Sequence, residues 1–224
     1  MKCQTGAVTT QRLLEAATAV FAEVGYSGAT LREICRRAQA NIAAVNYHFH
    51  DKEQLYAAVL SQAIVASGED QPLLTPNPDE PPEQRLRYFI GKFMNNLLGE
   101  DRPVDLLRLM THEMVEPTHA LPIAIDKAVR PVNAILYPIL TDLLGAAATP
   151  LLVRDCAGSV LSQCAAYYNS EVLIQRLHGM NVHDRATIEG LADHIFRFSL
   201  GGIRAMAQSG QPVRTTQQPN GEGS

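Results

Sequence analysis

The sequence lacks the strong positive charge of chains whose whole surface meets nucleic acid. Its 224 residues include 19 basic and 23 acidic side chains, which gives a formal net charge of −4. The acidic excess lies outside the N-terminal segment, because residues 1–60 hold six basic and five acidic side chains while the remainder holds 13 and 18. This division predicts an acidic body and a near-neutral head, of which only the head would contact phosphate.

Paired cysteines and long apolar runs are also missing. The four cysteines, Cys3, Cys35, Cys156 and Cys164, show no CxxC spacing. That pattern favours reduced thiols in the cytoplasm over a disulfide framework. The N-terminal MKCQTGAVTT has no signal-peptide apolar core, and no unbroken apolar run approaches the roughly 20 residues that a membrane span requires. We therefore expect a soluble, cytoplasmic protein.

Neither strand-like alternation nor a repeat of fixed period is present, and apolar residues at helical spacing predict an all-α fold. In the N-terminal segment this spacing predicts a first helix that begins at Thr9 or Thr10, as N-cap, and stops at Gly25. Thr30 and Glu33 have the spacing of a capping box, which predicts the start of a second helix. Its inward side chains would be Leu31, Ile34, Cys35 and Ala38.

A third helix is predicted from Asn41, a favourable N-cap, to about Phe49. Val45 and Phe49 are four residues apart and would point inward. The side chains left outside form a face that is unusually poor in charge: Ala43, Ala44, Asn46, Tyr47 and His48. Small residues with one amide, one phenol and one imidazole suit close approach to a DNA groove. Asp51 would then cap a fourth helix that runs to about Ser67.

The segment from Thr10 to Leu60 resembles the helix-turn-helix head of the TetR/AcrR family of transcriptional regulators. Within it, AVNYHFHDKEQLY matches the family signature of an aromatic residue, His and Phe, followed by Lys-Glu and Leu. One position departs from the family pattern, since the turn between the second and third helices commonly holds Gly and here holds Gln39. A residue other than Gly at positive φ costs on the order of 1 kcal/mol, which would reshape the turn slightly.

Three kinds of DNA contact are expected from this head. Asn46 would read bases, because an amide can form two hydrogen bonds with adenine. Contacts with thymine methyl groups would come from Ile42, Ala43 and Ala44. The resemblance implies phosphate contacts from Tyr47, His48 and Lys52, and a position in the first turn of a helix would favour anions near Lys52. The expected set is completed by Thr30, Arg32 and Asn41. Alternatively, Tyr47 only packs the head and His48 caps a helix end.

Five prolines within residues 68–83 predict a loop between head and body. The body is predicted to be a helical bundle. Its helices would span about Arg85–Leu98, Pro103–Glu116, Ala120–Leu144, Pro150–Leu177 and Asp184–Ala207, with the third one broken near Pro131 and Pro138. The composition from Gln208 onward is typical of a disordered tail. The predicted division is 1–67 for the DNA-binding head, 68–83 for the loop, 84–207 for the body and 208–224 for the tail.

The last two predicted helices carry more apolar surface than one protomer can bury, which favours a homodimer with a four-helix interface. The interface side chains would be Leu161, Ala165, Tyr168, Leu191, Ile195 and Phe198. Two heads in a dimer could read half-sites about one helical turn of DNA apart, roughly 34–36 Å.

The body resembles the CecR-type group of TetR regulators more narrowly, in LLRLMTHEMVEPTHAL, RPVNAILYPIL and SVLSQCAAYY. The resemblance implies a dimerising domain that senses a small-molecule effector. Candidates for its pocket are polar residues within apolar helices: Asn95, His112, Glu113, Tyr137, Gln163 and Tyr167. Each of them could instead be a core group whose hydrogen bonds are satisfied.

Other classes of protein fit the sequence less well. An enzyme using Cys164 with His112 or His194 is disfavoured, because no glycine-rich phosphate loop or nucleophile elbow is present. A metal sensor would need a ligand spacing that the histidines and cysteines lack. A helical scaffold that binds no DNA stays open. We predict no catalytic residue, metal or cofactor, and a repressor that binds a palindromic double-stranded operator as a dimer and releases it when a small molecule binds.

Overall fold

The structure is a computed structural model that describes the backbone of residues 2–68 and 75–209, and side chains within 8–67 and 75–209. Every regular element in those ranges is helical, which confirms the predicted all-α fold. No helix there has the combination of length and apolar character that crossing a membrane requires. The α-helices are α1 (Lys2–Gly28), α2 (Leu31–Ala38), α3 (Ile42–Phe49), α4 (Lys52–Gly68), α5 (Pro82–Leu98), α6 (Val104–Val115), α7 (Leu121–Ala124), α8 (Arg130–Leu144), α9 (Pro150–Asn169), α10 (Glu171–His178) and α11 (Arg185–Ser209).

Helices α1 to α4 form the head around one apolar cluster. Phe21 of α1 and Tyr56 of α4 meet edge to face within it, with ring centroids 4.9 Å apart. The predicted inward side chains of α2 and α3 lie in this cluster or pack against it: Leu31, Ile34, Cys35, Ala38, Val45 and Phe49. Their burial fixes which face of α3 is left for an outside partner.

Helix α1 begins earlier than predicted. Its first residue is Lys2, so the prediction of an N-cap at Thr9 or Thr10 was wrong. The hydroxyl of Thr10 lies 3.1 Å from Nδ1 of His48. Threonine favours helix starts because its hydroxyl can bond the backbone, and Thr10 uses that hydroxyl to connect α1 with α3 instead.

Gly25 ends the long first segment of α1, as predicted, because its backbone leaves the helical region. Its backbone has φ 69° and ψ 179°, and one further helical turn continues to Gly28 where a loop was predicted. A positive φ of this kind favours glycine. The site is also crowded, because a Cβ on Gly25 would lie 3.0 Å from Nδ1 of His112 on α6. Gly25 thus lies where α6 of the body packs closely against α1.

The body core is a second apolar cluster, built mainly by α5, α8, α9 and α11. Helices α6 and α7 connect the two cores, because Leu109 of α6 and Ala120 and Ala124 near α7 are buried in the head cluster. Packing therefore crosses the predicted boundary between head and body. The residue limits of the domains stay a prediction.

Of the two breaks predicted between residues 120 and 144, only the one near Pro131 coincides with an irregular turn. A π-helical turn at Ile125–Val129 precedes α8, and Pro131 falls in the first turn of that helix. The predicted break at Pro138 was wrong, since α8 continues through it. Pro138 and Ala134, four residues earlier, are both exposed, so water can hydrogen-bond the carbonyl that proline leaves without a donor.

Other predicted helix limits also shift. Helix α5 begins at Pro82 rather than Arg85, because a proline in the first turn lacks only an N–H that has no partner there. The predicted helix Pro150–Leu177 is divided into α9 and α10 by Ser170, whose φ of −113° and ψ of 17° leave the helical region. Helix α11 includes the first two residues of the predicted tail. Residues 69–74 of the predicted loop and 210–224 of the tail lie outside the described residues.

Candidate nucleic-acid interface and head–body junction

Helix α3 presents its charge-poor face to the outside of the head. Ala43, Asn46 and Tyr47 are exposed there and Ala44 is half-buried. Tyr47 is 81% exposed, too much for a side chain that packs the head. The side-chain oxygen of Asn41 accepts a hydrogen bond of 2.8 Å from the N–H of Ala44, as predicted for an N-cap. Asn41 therefore uses part of the hydrogen-bonding capacity of its amide oxygen for the cap, and Asn46 presents a second exposed amide on α3.

His48 is held at the C-terminal end of α3 by two contacts. Its Nδ1 lies 3.1 Å from Oγ1 of Thr10, and its ring meets the Tyr47 ring edge on, with centroids 4.9 Å apart. These contacts orient both predicted phosphate-contacting rings. The part played by Thr10 was missed because nothing in the sequence pairs a residue of α1 with one of α3.

Lys52 is the first residue of α4 and is held in place by an aromatic ring. Its Nζ lies 4.4 Å from the centroid of the Tyr26 ring, a cation–π contact worth on the order of 0.5–1 kcal/mol. Partial burial lowers the pKa of Lys52. Asp51 caps the helix, since its Oδ1 accepts a 2.8 Å hydrogen bond from the N–H of Gln54. The predicted phosphate contact is thus a preoriented ammonium group.

The start of α2 is capped by Thr30, whose Oγ1 accepts a 3.2 Å hydrogen bond from the N–H of Glu33. The Glu33 carboxylate, which a full capping box would direct back to Thr30, accepts hydrogen bonds from Arg36 and Arg37 instead. These bonds, that from Arg36 first, lower the pKa of Glu33 to about 2. Arg37 also forms two hydrogen bonds of 2.8 Å with Glu23.

Those ion pairs change what the arginines of α2 can offer to DNA. The charges of Arg36 and Arg37 are matched by carboxylates of the same head. Arg32 is exposed near the N-terminus of the helix. Thr30 and Arg32 therefore stay predicted DNA contacts. Arg36 and Arg37 are not expected to contact DNA, because their charges are already paired.

The turn between α2 and α3 holds Gln39 in the left-handed region, with φ 50° and ψ 44°. The N–H groups of Gln39 and Ala40 close the end of α2 by donating to the carbonyls of Arg36 and Cys35. The side chain also takes part, because Nη2 of Arg12 donates a 3.0 Å hydrogen bond to its Oε1. A glycine could not make this link to α1.

The six predicted ligand-binding residues do not line one cavity. His112 lies against α1, with Nε2 3.3 Å from the carbonyl oxygen of Ala22. Glu113 is buried between α4 and α6. Gln163 donates to the carbonyl of Ser159 and to Oγ of Ser199, which joins α9 to α11. These contacts favour structural roles for His112, Glu113 and Gln163.

The remaining ligand candidates lie in the body. Tyr137 and Tyr167 are half-buried against its core. Asn95 lines an open cavity of about 780 Å³ beside α5 and α11, and the ion pair of Arg87 with Asp193 forms part of its lining. That volume is within the range of small-molecule sites, about 300–1,000 Å³. A second cavity of about 180 Å³ lies at the head–body junction, beside Gly25, Tyr56, His112 and Thr118.

The predicted dimer side chains divide between two faces of α9 and α11. Phe198 is 67% exposed, and Leu161, Ala165 and Leu191 are half-buried. Ile195 is only 1% exposed, so it belongs to the body core rather than to an outer face. Tyr168 is half-buried and packs against the body core. Residues three apart on α11 thus face the core and the outside.

The cysteines do not form a reactive site in the part of the chain that is described. Cys164 is fully buried, and burial raises its pKa to about 12. A thiol with that pKa is protonated at neutral pH and is a poor nucleophile. His194 is exposed on α11. Among the described residues, no three His, Cys, Asp or Glu side chains are grouped as metal ligands.

In this chain a recognition helix follows a capped turn, and a helical body carries the head. This arrangement defines a regulator of the helix-turn-helix class. Residues 13–59 match the family model described as bacterial regulatory proteins, tetR family. Residues 82–203, more than half of the chain, match the model of the C-terminal domain of the HTH-type transcriptional dual regulator CecR. The chain therefore belongs to the TetR family, in the group with a CecR-type C-terminal domain.

The similar proteins agree with this family. The HTH-type transcriptional dual regulator CecR of Shigella flexneri is 30% identical over 144 residues, which span 60% of this chain and 64% of that protein. The match thus spans less than two thirds of its relative. Two solved structures share the fold at 17% identity. The complex of AibR with isovaleryl coenzyme A and operator DNA has a TM-score of 0.63 and covers 85% of this chain and 97% of AibR. FadR of Bacillus subtilis with stearoyl-CoA has a TM-score of 0.60 and covers 86% and 98%.

Proposed function

We propose that this protein is a ligand-responsive transcriptional repressor that binds a palindromic operator as a homodimer. The observation that carries the proposal is the outer face of α3, where Asn46 and Tyr47 project beside an alanine surface while Val45 and Phe49 anchor the helix. A major groove accepts such a helix, and amide side chains can read its base edges. His48 and Lys52 lie at the end of the same surface, where phosphates would flank the groove.

Dimerisation would use the outer faces of α9 and α11. Phe198 stands in a row with small exposed residues of α11, Gly201, Gly202 and Ala205. On α9 the exposed positions include Gly158, Ser162 and Ala166. Small residues let helices approach closely, and a large apolar side chain among them can insert between helices of a second copy. These features support a four-helix interface.

An organic small molecule is the proposed effector. Support comes from the two structural neighbours that were solved with coenzyme A thioesters, although they share only the fold with this chain. The proposal is therefore limited to the class of effector. Binding in the body would shift the segment before Pro117 and the helix after Asp51, and the two heads would no longer match a fixed half-site spacing.

We further propose that the chain is not an enzyme and acts in the cytoplasm, where a bacterial regulator meets DNA. The buried thiol of Cys164 supports the first point, because it is held in its protonated form. The resemblance to regulators supports both points.

The decisive test is selection of bound fragments from genomic DNA with the purified full-length protein, followed by titration of the selected fragment at increasing salt. We expect one enriched palindrome and an affinity that falls steeply between about 50 and 200 mM salt, because phosphate contacts release counterions. No enrichment, with affinity independent of salt, would instead support a helical scaffold that binds no DNA.

A further inference from the structure

Glu113 joins three segments of the chain through one buried carboxylate. The side chain is 0% exposed. Its Oε2 accepts a 2.9 Å hydrogen bond from the hydroxyl of Tyr56 on α4. Its Oε1 accepts hydrogen bonds of 2.8 and 3.0 Å from the N–H and hydroxyl of Thr118, in the segment that leads to α7. Both oxygens therefore have donors, and only one of those donors belongs to the head.

Because the Glu113 carboxyl group is buried, its hydrogen bonds tolerate little change in distance or angle. A carboxyl group removed from water without hydrogen bonds costs several kcal/mol, so the donors must stay close to their observed positions. Tyr56 is itself fully buried, and it contacts Phe21 and Tyr26 with its ring. Burial, with a further contribution from Glu113, raises the pKa of Tyr56. The hydroxyl consequently remains a donor at any physiological pH.

Three other polar contacts between head and body, among the residues that the structure describes, have less control over orientation. His119 pairs with Glu53, and Lys127 donates to Ser61, but both pairs are exposed to solvent. Exposed pairs of this kind contribute roughly 0–1 kcal/mol and tolerate other arrangements. The contact of His112 with the carbonyl of Ala22 is long, at 3.3 Å. Of these four contacts, only the hydrogen bond from Tyr56 to Glu113 is fully buried.

We propose that Glu113 is a positioning residue: through Tyr56 it sets the angle between α4 and α6 and so the separation of the two recognition helices in a dimer. The inference rests on the proposed DNA-binding function and identifies the contact through which the body controls the head. It also gives Glu113 a role other than the ligand contact expected from the sequence. A shift of α6 that moves Glu113 must either carry α4 with it or break a buried hydrogen bond.

Two variants separate the positioning role from an effect on folding stability alone. Each removes one hydroxyl group that donates a hydrogen bond to the Glu113 carboxylate. Tyr56→Phe breaks the link between head and body and leaves Glu113 with its Thr118 donors. Thr118→Val breaks only hydrogen bonds within the segment from α6 to α7, including the bond from the N–H of Ala120 to Oγ1 of Thr118. Both variants are expected to lower the free energy of unfolding. Only Tyr56→Phe should change the orientation of the head.

The first readout needs neither DNA nor a dimer. Spin labels at Ser27→Cys in the head and Gln84→Cys in the body, in a Cys3→Ser background diluted with unlabelled chain, report the distance between head and body. Both positions are exposed, and Cys35, Cys156 and Cys164 are buried. Tyr56→Phe should shift or broaden the distance distribution by about 2 Å or more, whereas Thr118→Val should leave it close to that of the parent chain.

The second readout is the preference for half-site spacing, measured with the selected operator and with versions that carry one inserted or deleted base pair. The parent protein should prefer the native spacing by about tenfold or more, and Tyr56→Phe should reduce that preference severalfold. Folded Tyr56→Phe protein with parental distances and spacing preference would refute the positioning role, as would equal effects of Thr118→Val. If the parent binds no operator, the proposed function fails while the distance measurement still decides the role of Glu113.

Discussion

Arg12 of α1 and Gln39 of the α2–α3 turn are joined by a hydrogen bond of 3.0 Å between Nη2 and Oε1. Gln39 occupies a left-handed conformation, with φ 50°, that favours glycine. The chain therefore combines a backbone cost at the turn with a side-chain link that glycine cannot provide. The link connects α1 to the turn that precedes the recognition helix.

Replacing Gln39 with glycine tests which of these two effects is larger. Gln39→Gly should raise the free energy of unfolding by about 0.5 kcal/mol, because relief of a positive-φ cost near 1 kcal/mol exceeds the loss of one exposed hydrogen bond near 0.5 kcal/mol. Urea denaturation measures the difference. Arg12→Ala is the control, since it removes the link and leaves the turn unchanged, and it should be slightly destabilising. Destabilisation by Gln39→Gly would show that the link outweighs the strain.

Asn46 and Lys52 should differ in the kind of DNA binding that they support. Asn46→Ala should cost about 1–3 kcal/mol on the selected operator and little on unrelated DNA, because an exposed amide on α3 reads bases. Lys52→Gln removes the positive charge that lies over the Tyr26 ring and leaves a polar side chain at the position. It should weaken binding to all sequences and reduce the salt slope by about 1. Fluorescence anisotropy at several salt concentrations distinguishes them, and equal loss of sequence preference in both variants would contradict the assignment.

Phe198 should be required for the dimer. Phe198→Asp places a charge where an apolar side chain, 67% exposed in the protomer, is proposed to enter a second copy. The variant should be monomeric in sedimentation equilibrium and bind the operator at least tenfold more weakly, because two linked heads bind better than one. Leu173→Asp is the matched control, since Leu173 is 57% exposed on α10, outside the proposed interface. A dimeric Phe198→Asp protein would exclude α11 as the main contact.

The ion pairs of Glu33 should contribute to stability only above acidic pH. Its pKa is lowered from an ordinary value of 4.5 to about 2 in the folded protein, first by Arg36 and then by Arg37. Since the unfolded chain takes up the proton first, the contribution is complete above about 4.5 and is lost as the pH falls toward about 2. Glu33→Gln should therefore lose less stability than the parent between pH 5 and pH 3, and the difference should be small because ion pairs exposed to solvent contribute little.

Urea denaturation at both pH values measures this difference. Arg36→Gln removes the main cause of the lowered pKa and should also reduce the pH dependence. If Glu33→Gln and the parent lose the same stability over this range, the ion pairs on α2 have no effect on folding.

The sequence by itself determined the elements of the head and their outward face. Capping residues such as Thr30, Asn41 and Asp51 mark where helices begin, and the spacing of Val45 and Phe49 decides which side of α3 is buried. These are local effects that act over three or four residues, so they can be predicted from the sequence alone. The family signature in the same segment rests on the same short spacings.

The tertiary structure alone decided how distant residues pair. Arg12 meets Gln39, Thr10 meets His48, and Tyr56 meets Glu113 across intervals of 27, 38 and 57 residues. No periodicity encodes such pairs, because they depend on how whole helices pack. For the same reason Glu113 resembled a ligand residue in the sequence, and only the packing of α6 against α4 shows that its carboxylate connects body and head.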